Sequence, residues 1–385
     1  MSPSRDQMES RSTLTDDSWY SSDPTGLKRK FSEADEATWT AENLEIVIQD
    51  RLSVLRDASV DHPDYPVKHM DIANGYLYKY LRSQSAADLD LAIEYQQTYL
   101  DLAPNDHADR ALGYNRFGLQ HVIKYQQTKD ITCIERAITN YQNALSMYPD
   151  DDNEVPELFD SLASAHIARC KALGTMEDVE TAINYCTKSI AATPHQSVDK
   201  PGRLNTFGSA YQCKYDMNGE RSDLQSAIQY LTAAYEILSR KQVDQVRVQV
   251  LTNLGRAYQR RYVVLGATKD LDSAVELLQG ALGGALFKQQ RRIILQHLSI
   301  SFKSRYRTTD QMIDLDNAIH CSEESLQLTP LDGPDRANHW RHLAGAYNSR
   351  YIKTRAESDI SMAVKMYEEA IALTPDNHLE RASQL

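Results

Sequence analysis

Apolar and polar residues follow a helical period along most of the chain, and that pattern itself repeats. From Leu254 to Tyr262 the apolar or aromatic positions recur at i, i+4 and i+8, which places Leu254, Tyr258 and Tyr262 on one face of a helix, here termed helix A. A short polar linker, such as Gly266 to Asp270, leads into a second apolar-periodic run, helix B. The second run opens with Asp-Leu-Asp-x-Ala-Ile or a near relative, at Asp88, Asp223, Asp270, Asp314 and Asp359. Its alanine falls at Ala92, Ala137, Ala182, Ala227, Ala274, Ala318 and Ala363, in steps of 45, 45, 45, 47, 44 and 45 residues. An aromatic or histidine mark precedes each alanine by 16 residues, at Tyr76, His121, His166, Tyr211, Tyr258, Phe302 and Tyr347. Two marks at constant offset predict seven two-helix units stacked in an array.

Local signals place the ends of these helices. An aspartate near the start of helix B (Asp88, Asp178, Asp223, Asp270, Asp314, Asp359, with Cys133 in unit 2) is expected to cap free backbone N–H groups and to favour the positive helix end. Pro104, Pro149, Pro194, Pro330 and Pro375 are stop signals, because proline cannot continue the hydrogen-bond ladder. A basic residue stands three positions after each mark, at Lys79, Lys124, Arg169, Lys214, Arg261, Arg305 and Arg350, and in six units an aspartate follows nine residues later. A cation repeated in every unit beside its own acid reads as a clip within the repeat rather than as a ligand-binding ladder.

These residues give the unit a family likeness. Trp340, Leu343, Ala344 and Tyr347 in helix A, with Ala363, Tyr367, Ala370 and Pro375 in helix B, make it resemble the tetratricopeptide repeat. The usual unit is about 34 residues long; here about seven residues, two helical turns, are added between mark and alanine and the rest in the connection. Helix A is therefore expected to continue through Lys79-Tyr80, Arg261-Tyr262 and Arg350-Tyr351. The long form resembles arrays common in filamentous fungi, often associated with caspase-like CHAT domains or nucleotide-binding switch domains. The resemblance implies an all-α, right-handed α-solenoid over residues 43–385. Ser299 at the glycine position, and Tyr99 and Ser325 at the second small position, predict less regular packing in units 1 and 6.

The ends of the array differ from its middle. Asn43 to Ile48 aligns with Asp88 to Ile93 at the same step, predicting a half-repeat over 43–64 before seven repeats at about 65–376 and the start of another at 377–385. An uncapped solenoid end exposes apolar surface, so self-association through the C-terminal end is one expectation. Residues 1–42, rich in Ser, Thr, Asp and Glu, read as a disordered head. Its Lys28-Arg29-Lys30 cluster is either a solvated charge run or a weak nuclear address.

Composition narrows the function. With 42 basic and 54 acidic residues the net charge is -12, which argues against nucleic acid as a general partner. No window approaches about 18 apolar residues, so no membrane span is expected. The odd number of scattered cysteines (Cys133, Cys170, Cys186, Cys213, Cys321) and the lack of a secretory leader read as reduced thiols in an intracellular, cytoplasmic protein. There is no phosphate loop, nucleophile elbow, metal-ligating motif or caspase-like cysteine signature, so neither a catalytic residue nor a cofactor or metal is expected. His121 and His166 are expected to pack between helices, and adjacent His320 and Cys321 to point in different directions.

The expected activity is therefore binding. By the family resemblance, the concave groove is lined by helix A residues six and two before the mark and one and two after it. In units 1 to 3 these include Asn74, Leu77, Tyr78, Asn115, Leu119, Val122, Ile123, Asp160 and Ile167, a partly apolar stretch. In units 4 to 7 they include Asn205, Gln212, Thr252, Arg256, Gln259, Arg260, Gln296, Lys303, Arg341 and Asn348, a polar and basic one. Such a groove suits a protein partner presenting an extended or helical peptide, with arginines pairing its acidic groups. Alternative readings are a regulatory or sensor arm acting on an enzyme of another chain, or an accessory protein of a specialised-metabolism pathway.

Overall fold

The computed structural model describes residues 41–238, 245–329 and 336–373. The head up to residue 40, the Lys28-Arg29-Lys30 cluster, Pro330, Pro375 and the restart at 377–385 lie outside the described residues. Among the described residues there are fifteen α-helices and no strand. They are α1 (Ala41–Asp57), α2 (Tyr65–Ser83), α3 (Ala86–Leu102), α4 (Arg110–Thr128), α5 (Ile131–Met147), α6 (Val155–Leu173), α7 (Met176–Ala192) and α8 (Lys200–Asn218). The series continues with α9 (Arg221–Leu238), α10 (Gln245–Leu265), α11 (Thr268–Gly284), α12 (Lys288–Thr309), α13 (Met312–Gln327), α14 (Arg336–Thr354) and α15 (Glu357–Ala372). Even-numbered helices from α2 onward are the A helices. The chain forms two compact bodies, one ending at Met217 and the other beginning at Asn218. Each is an all-α array in which an A helix packs on the B helix that follows and that B helix packs on the next A helix.

Helix A does run through the extra turns: α2 ends at Ser83, α10 at Leu265 and α14 at Thr354. The residue after each A helix, at Gln84, Lys129, Gly174, Gly219, Gly266, Asp310 and Arg355, is left-handed, with φ between 55° and 70°. Its N–H donates to a carbonyl four residues back, as from Gln84 to Tyr80 and from Asp310 to Tyr306, which satisfies an orphan acceptor and reverses the chain within two or three residues. Glycine takes this conformation without strain, whereas the four non-glycine residues each carry a cost of about 1 kcal/mol. Helices α3, α5 and α7 stop at Leu102, Met147 and Ala192, two residues before Pro104, Pro149 and Pro194.

The helix B aspartates do not cap in the expected way. Asp88 sits in the first turn of α3, not at its cap, and is buried. Its carboxylate meets Lys79 Nζ at 3.0 Å and accepts from Ser83 Oγ at 3.0 Å. Arg169 and Asp178 (2.6 Å), Arg261 and Asp270 (2.7 Å), Arg305 and Asp314 (2.6 Å) and Arg350 and Asp359 (2.8 Å) pair in the same way. The cation of helix A is the nearer and stronger partner, so the side chain turns away from the backbone N–H groups. Asp130, just before α5 in unit 2, does accept from the Thr132 N–H two residues on. The clip cation also reaches the preceding B helix, from Lys79 to Glu45 (2.7 Å), Lys124 to Asp90 (2.5 Å), Arg305 to Asp272 (3.1 Å) and Arg350 to Asp316 (2.9 Å). The clips thus join repeat to repeat as well as helix to helix.

The expected irregularities are filled. The fully buried ring of Tyr99 lies against Gly113, where a Cβ would come within 2.3 Å of Cε1. Ser299 Oγ donates to the Ala318 carbonyl at 2.9 Å and meets Ser322 Oγ at 2.6 Å. Ser325 Oγ donates to the Arg292 carbonyl at 3.1 Å. Hydrogen bonds at these sites replace the close packing of a small residue.

Candidate functional site

The residues expected to line a groove all fall on A helices. In the first body these are Asn74 and Tyr78 on α2, Asn115 and Ile123 on α4, Asp160 on α6 and Asn205 on α8. In the second they are Thr252, Arg256 and Arg260 on α10, Gln296 and Lys303 on α12, and Arg341 and Asn348 on α14. Asn74, Asn205, Thr252, Arg256 and Gln296 are buried and the other eight are half-buried, so neighbouring A helices share these polar groups closely. Gln259 shows how: its Nε2 donates to the His297 carbonyl at 2.6 Å and to Ser301 Oγ at 2.5 Å, while its Oε1 accepts from His297 Nδ1 at 3.2 Å.

The second body separates its charges by helix. Helices α10, α12 and α14 carry fourteen lysines and arginines and no aspartate or glutamate, whereas the acids sit on the intervening B helices. Some of the cations are held by the clips, and Arg291 pairs with Glu324 at 2.5 Å. Arg256 and Arg260 lie close enough to His297 to disfavour its protonation, and Lys303 and Arg341 act likewise on His342. Burial is the larger cause in both, holding His297 well below the usual imidazole range and His342 at about 4. Between α10 and α12 a narrow cleft, with room for about 20 Å³, is lined by Val248, Gln249, Thr252, Asn253, Arg256, Gln290, Ile293 and Ile294. Two predicted residues, Thr252 and Arg256, are thus brought together on its wall, beside an amide-rich rim and an apolar floor.

The first body holds a mixed face. Asp160 accepts from Thr206 and lies near Arg203 of α8, but burial dominates and raises its carboxyl to about 6. A carboxyl raised in the folded state favours folding most below its unfolded value of about 4 and loses that contribution as pH rises through 6. Asp160→Asn is therefore expected to gain stability relative to the wild type between about pH 4 and 6, seen as a flatter pH dependence of urea unfolding. Identical slopes for the two proteins would count against it.

Arg116 is the residue that the groove prediction missed. It is 3% exposed on α4, its Nε and Nη1 have no hydrogen-bond partner, and burial lowers its guanidinium pKa. It stands five before the mark, a position that is polar in every unit: Asp71, Arg116, Ser161, Thr206, Asn253, His297 and His342. That seven-fold polar register was the available signal. The expected packing of the histidines is seen in His121, which lies with its ring 4.5 Å from that of Phe117, and in His166, whose Nδ1 donates to Asp178 at 2.8 Å. His320 is exposed while Cys321 is buried, so they do face apart. The five cysteines are free thiols.

No protein-family model matches this chain, and no curated protein matches it in sequence. Solved structures do resemble it. A thermophilic TPR protein of Thermus thermophilus is 19% identical, with 60% of this chain and 98% of that chain covered and a TM-score of 0.40. The C-terminal part of a TPR repeat-containing protein of Cytophaga hutchinsonii is 15% identical, covering 76% and 96%, with a TM-score of 0.42. A signal transduction ATPase with numerous domains and a tetratricopeptide repeat sensor, from Pyrococcus horikoshii, is 15% identical, covering 82% of this chain and 50% of that one, with a TM-score of 0.41. Among the described residues no helix is long and apolar enough to cross a membrane. The chain is a helical-repeat array, and structures similar to it are those of tetratricopeptide-repeat proteins.

Proposed function

We propose that this protein is a non-enzymatic interaction scaffold that holds an acidic peptide or helix of a protein partner on the A-helix face of the body beginning at Asn218. The observation that carries this reading is the charge separation there: three consecutive A helices without one acid, in a chain of net charge -12. Arg256, Arg260, Lys303 and Arg341, which lie around His297 and His342, are the cations that a ligand carboxylate would meet through charge-assisted hydrogen bonds. Gln290, whose side-chain Nε2 and Oε1 have no hydrogen-bond partner, suits a peptide backbone laid over it. Arg116 supports the same ligand chemistry in the first body, because a buried guanidinium with Nε and Nη1 unpaired is costly until an anion meets them.

The test is a fluorescence titration of the full chain with a library of acidic and charge-neutral peptides at two salt concentrations. Acidic peptides are expected to bind with an affinity that falls with salt, and Arg256→Glu with Arg260→Glu to weaken them at least about tenfold. A folded double variant that binds as the wild type does would overturn the reading. A narrower form of it places the array with the long fungal type, as a regulatory arm acting on a partner enzyme. The 45-residue step and A helices of 19 to 22 residues support that form.

A further inference from the structure

The fold gathers two of the cysteines that the sequence scatters. Cys170 on α6 and Cys213 on α8 stand 43 residues apart, yet their Sγ atoms are 3.1 Å from each other. Met217, one helical turn beyond Cys213, brings its Sδ to 3.3 Å from Cys170 Sγ. Both thiols are buried, at 2% and 3% exposure, and Val179, Ile183 and Met176 of α7 close around them. Among the described residues no three His, Cys, Asp or Glu side chains gather to hold a metal, so a third ligand here has to be a thioether.

We propose that Cys170, Cys213 and Met217 form a binding site for a copper(I) ion. Thiolate and thioether ligands select soft metals, whereas zinc takes four nitrogen, oxygen or thiolate ligands and is poorly served by methionine. A disulfide would use the two cysteines and leave the convergence of Met217 without a role. A metal–sulfur bond of about 2.3 Å sets the sulfurs of a trigonal centre about 4 Å apart. Cys170 Sγ therefore needs to draw away from Cys213 Sγ and from Met217 Sδ by less than about 1 Å each, and the rotatable bonds of Met217 let its thioether adjust. Uptake forms two thiolate–copper bonds and one thioether–copper bond, and the two thiol protons leave to solvent. The resulting complex carries one net negative charge, with Asp178 and Lys171 the nearest charges of either sign.

The test uses the reduced full chain carrying Cys133→Ser, Cys186→Ser and Cys321→Ser, so that only this pair of thiols remains. Under anaerobic conditions it is titrated with copper(I) held by a chromophoric competing chelator. One ion per chain is expected to leave the chelator, with a sulfur-to-copper charge-transfer band in the ultraviolet. Adding Cys170→Ser or Cys213→Ser should abolish uptake, and Met217→Leu should weaken it at least about tenfold with unchanged circular dichroism. No uptake, or uptake indifferent to either serine variant, would overturn the site. Equal affinity in Met217→Leu would overturn the three-sulfur assignment. A protein that takes no copper but closes a Cys170–Cys213 disulfide with peroxide would be a dithiol instead.

Discussion

On acidification from pH 7 to pH 5 the body beginning at Asn218 is expected to lose about 4 kcal/mol of stability. With His297, also held low by burial, adding to it, the loss is assigned to His339 and His342. Burial, reinforced by Arg292 and Arg336 around the first and by Lys303 and Arg341 around the second, holds them at about 3 and about 4. An unfolded imidazole takes its proton near pH 6.5, so below that value protons bind the unfolded chain and not the folded one. Stability is thus full above about 6.5 and falls as pH drops toward the folded values. His339 shows why the proton is refused. Its Nε2 accepts from the Arg292 guanidinium at 3.0 Å and its Nδ1 donates to Ser325 Oγ at 3.1 Å, so a second proton would set N–H against N–H. Urea unfolding at pH 7, 6 and 5 measures the effect, and amide exchange assigns it to this body. His339→Gln should remove about half of the part of the slope that His339 and His342 supply. Equal stability at pH 7 and pH 5 would refute the assignment.

Tyr141→Ala is expected to cost the first body about 3 to 5 kcal/mol. Tyr141 is 2% exposed on α5, in a cluster with Val122, Ile134, Leu158 and Leu162. Its ring lies across Gly118 of α4, where a Cβ would fall 2.6 Å from Cε1, and its hydroxyl shares a hydrogen bond with Ser161 of α6. Removing it opens a void between three helices and strips Ser161 of a partner. Gly118→Ala should cost about 1 to 3 kcal/mol by forcing the ring aside. In the Tyr141→Ala background the same change should be almost free, because the obstacle has gone. A double-mutant cycle in urea tests this coupling; additive effects would show that ring and glycine do not determine each other.

The repeat was legible because it is written twice, in the mark and in the alanine, and because each helix needs a continuous apolar stripe to bury. The two extra turns of helix A followed from the offset, and the clip followed from a cation and an acid nine residues apart. The left-handed turn after helix A could be seen at Gly266, but not at Gln84, Lys129, Asp310 or Arg355, where packing imposes a conformation that the side chain disfavours. The capping role assigned to Asp88 and its equivalents failed for a related reason: local spacing shows that an acid stands near a helix start, not that a cation of the preceding helix is closer.

Sequence alone thus determined the all-α class, the number and order of the helix pairs, and which face of each is apolar, since these depend on periodicity within about twenty residues. Tertiary structure decided what meets across repeats. The approach of Cys170 to Cys213 and that of Arg256 and Arg260 to His297 and of Lys303 to His342 join residues about one repeat apart. A period states that such residues recur. Only the rotation and spacing of one helix pair against the next, set by packing, state which of their atoms touch.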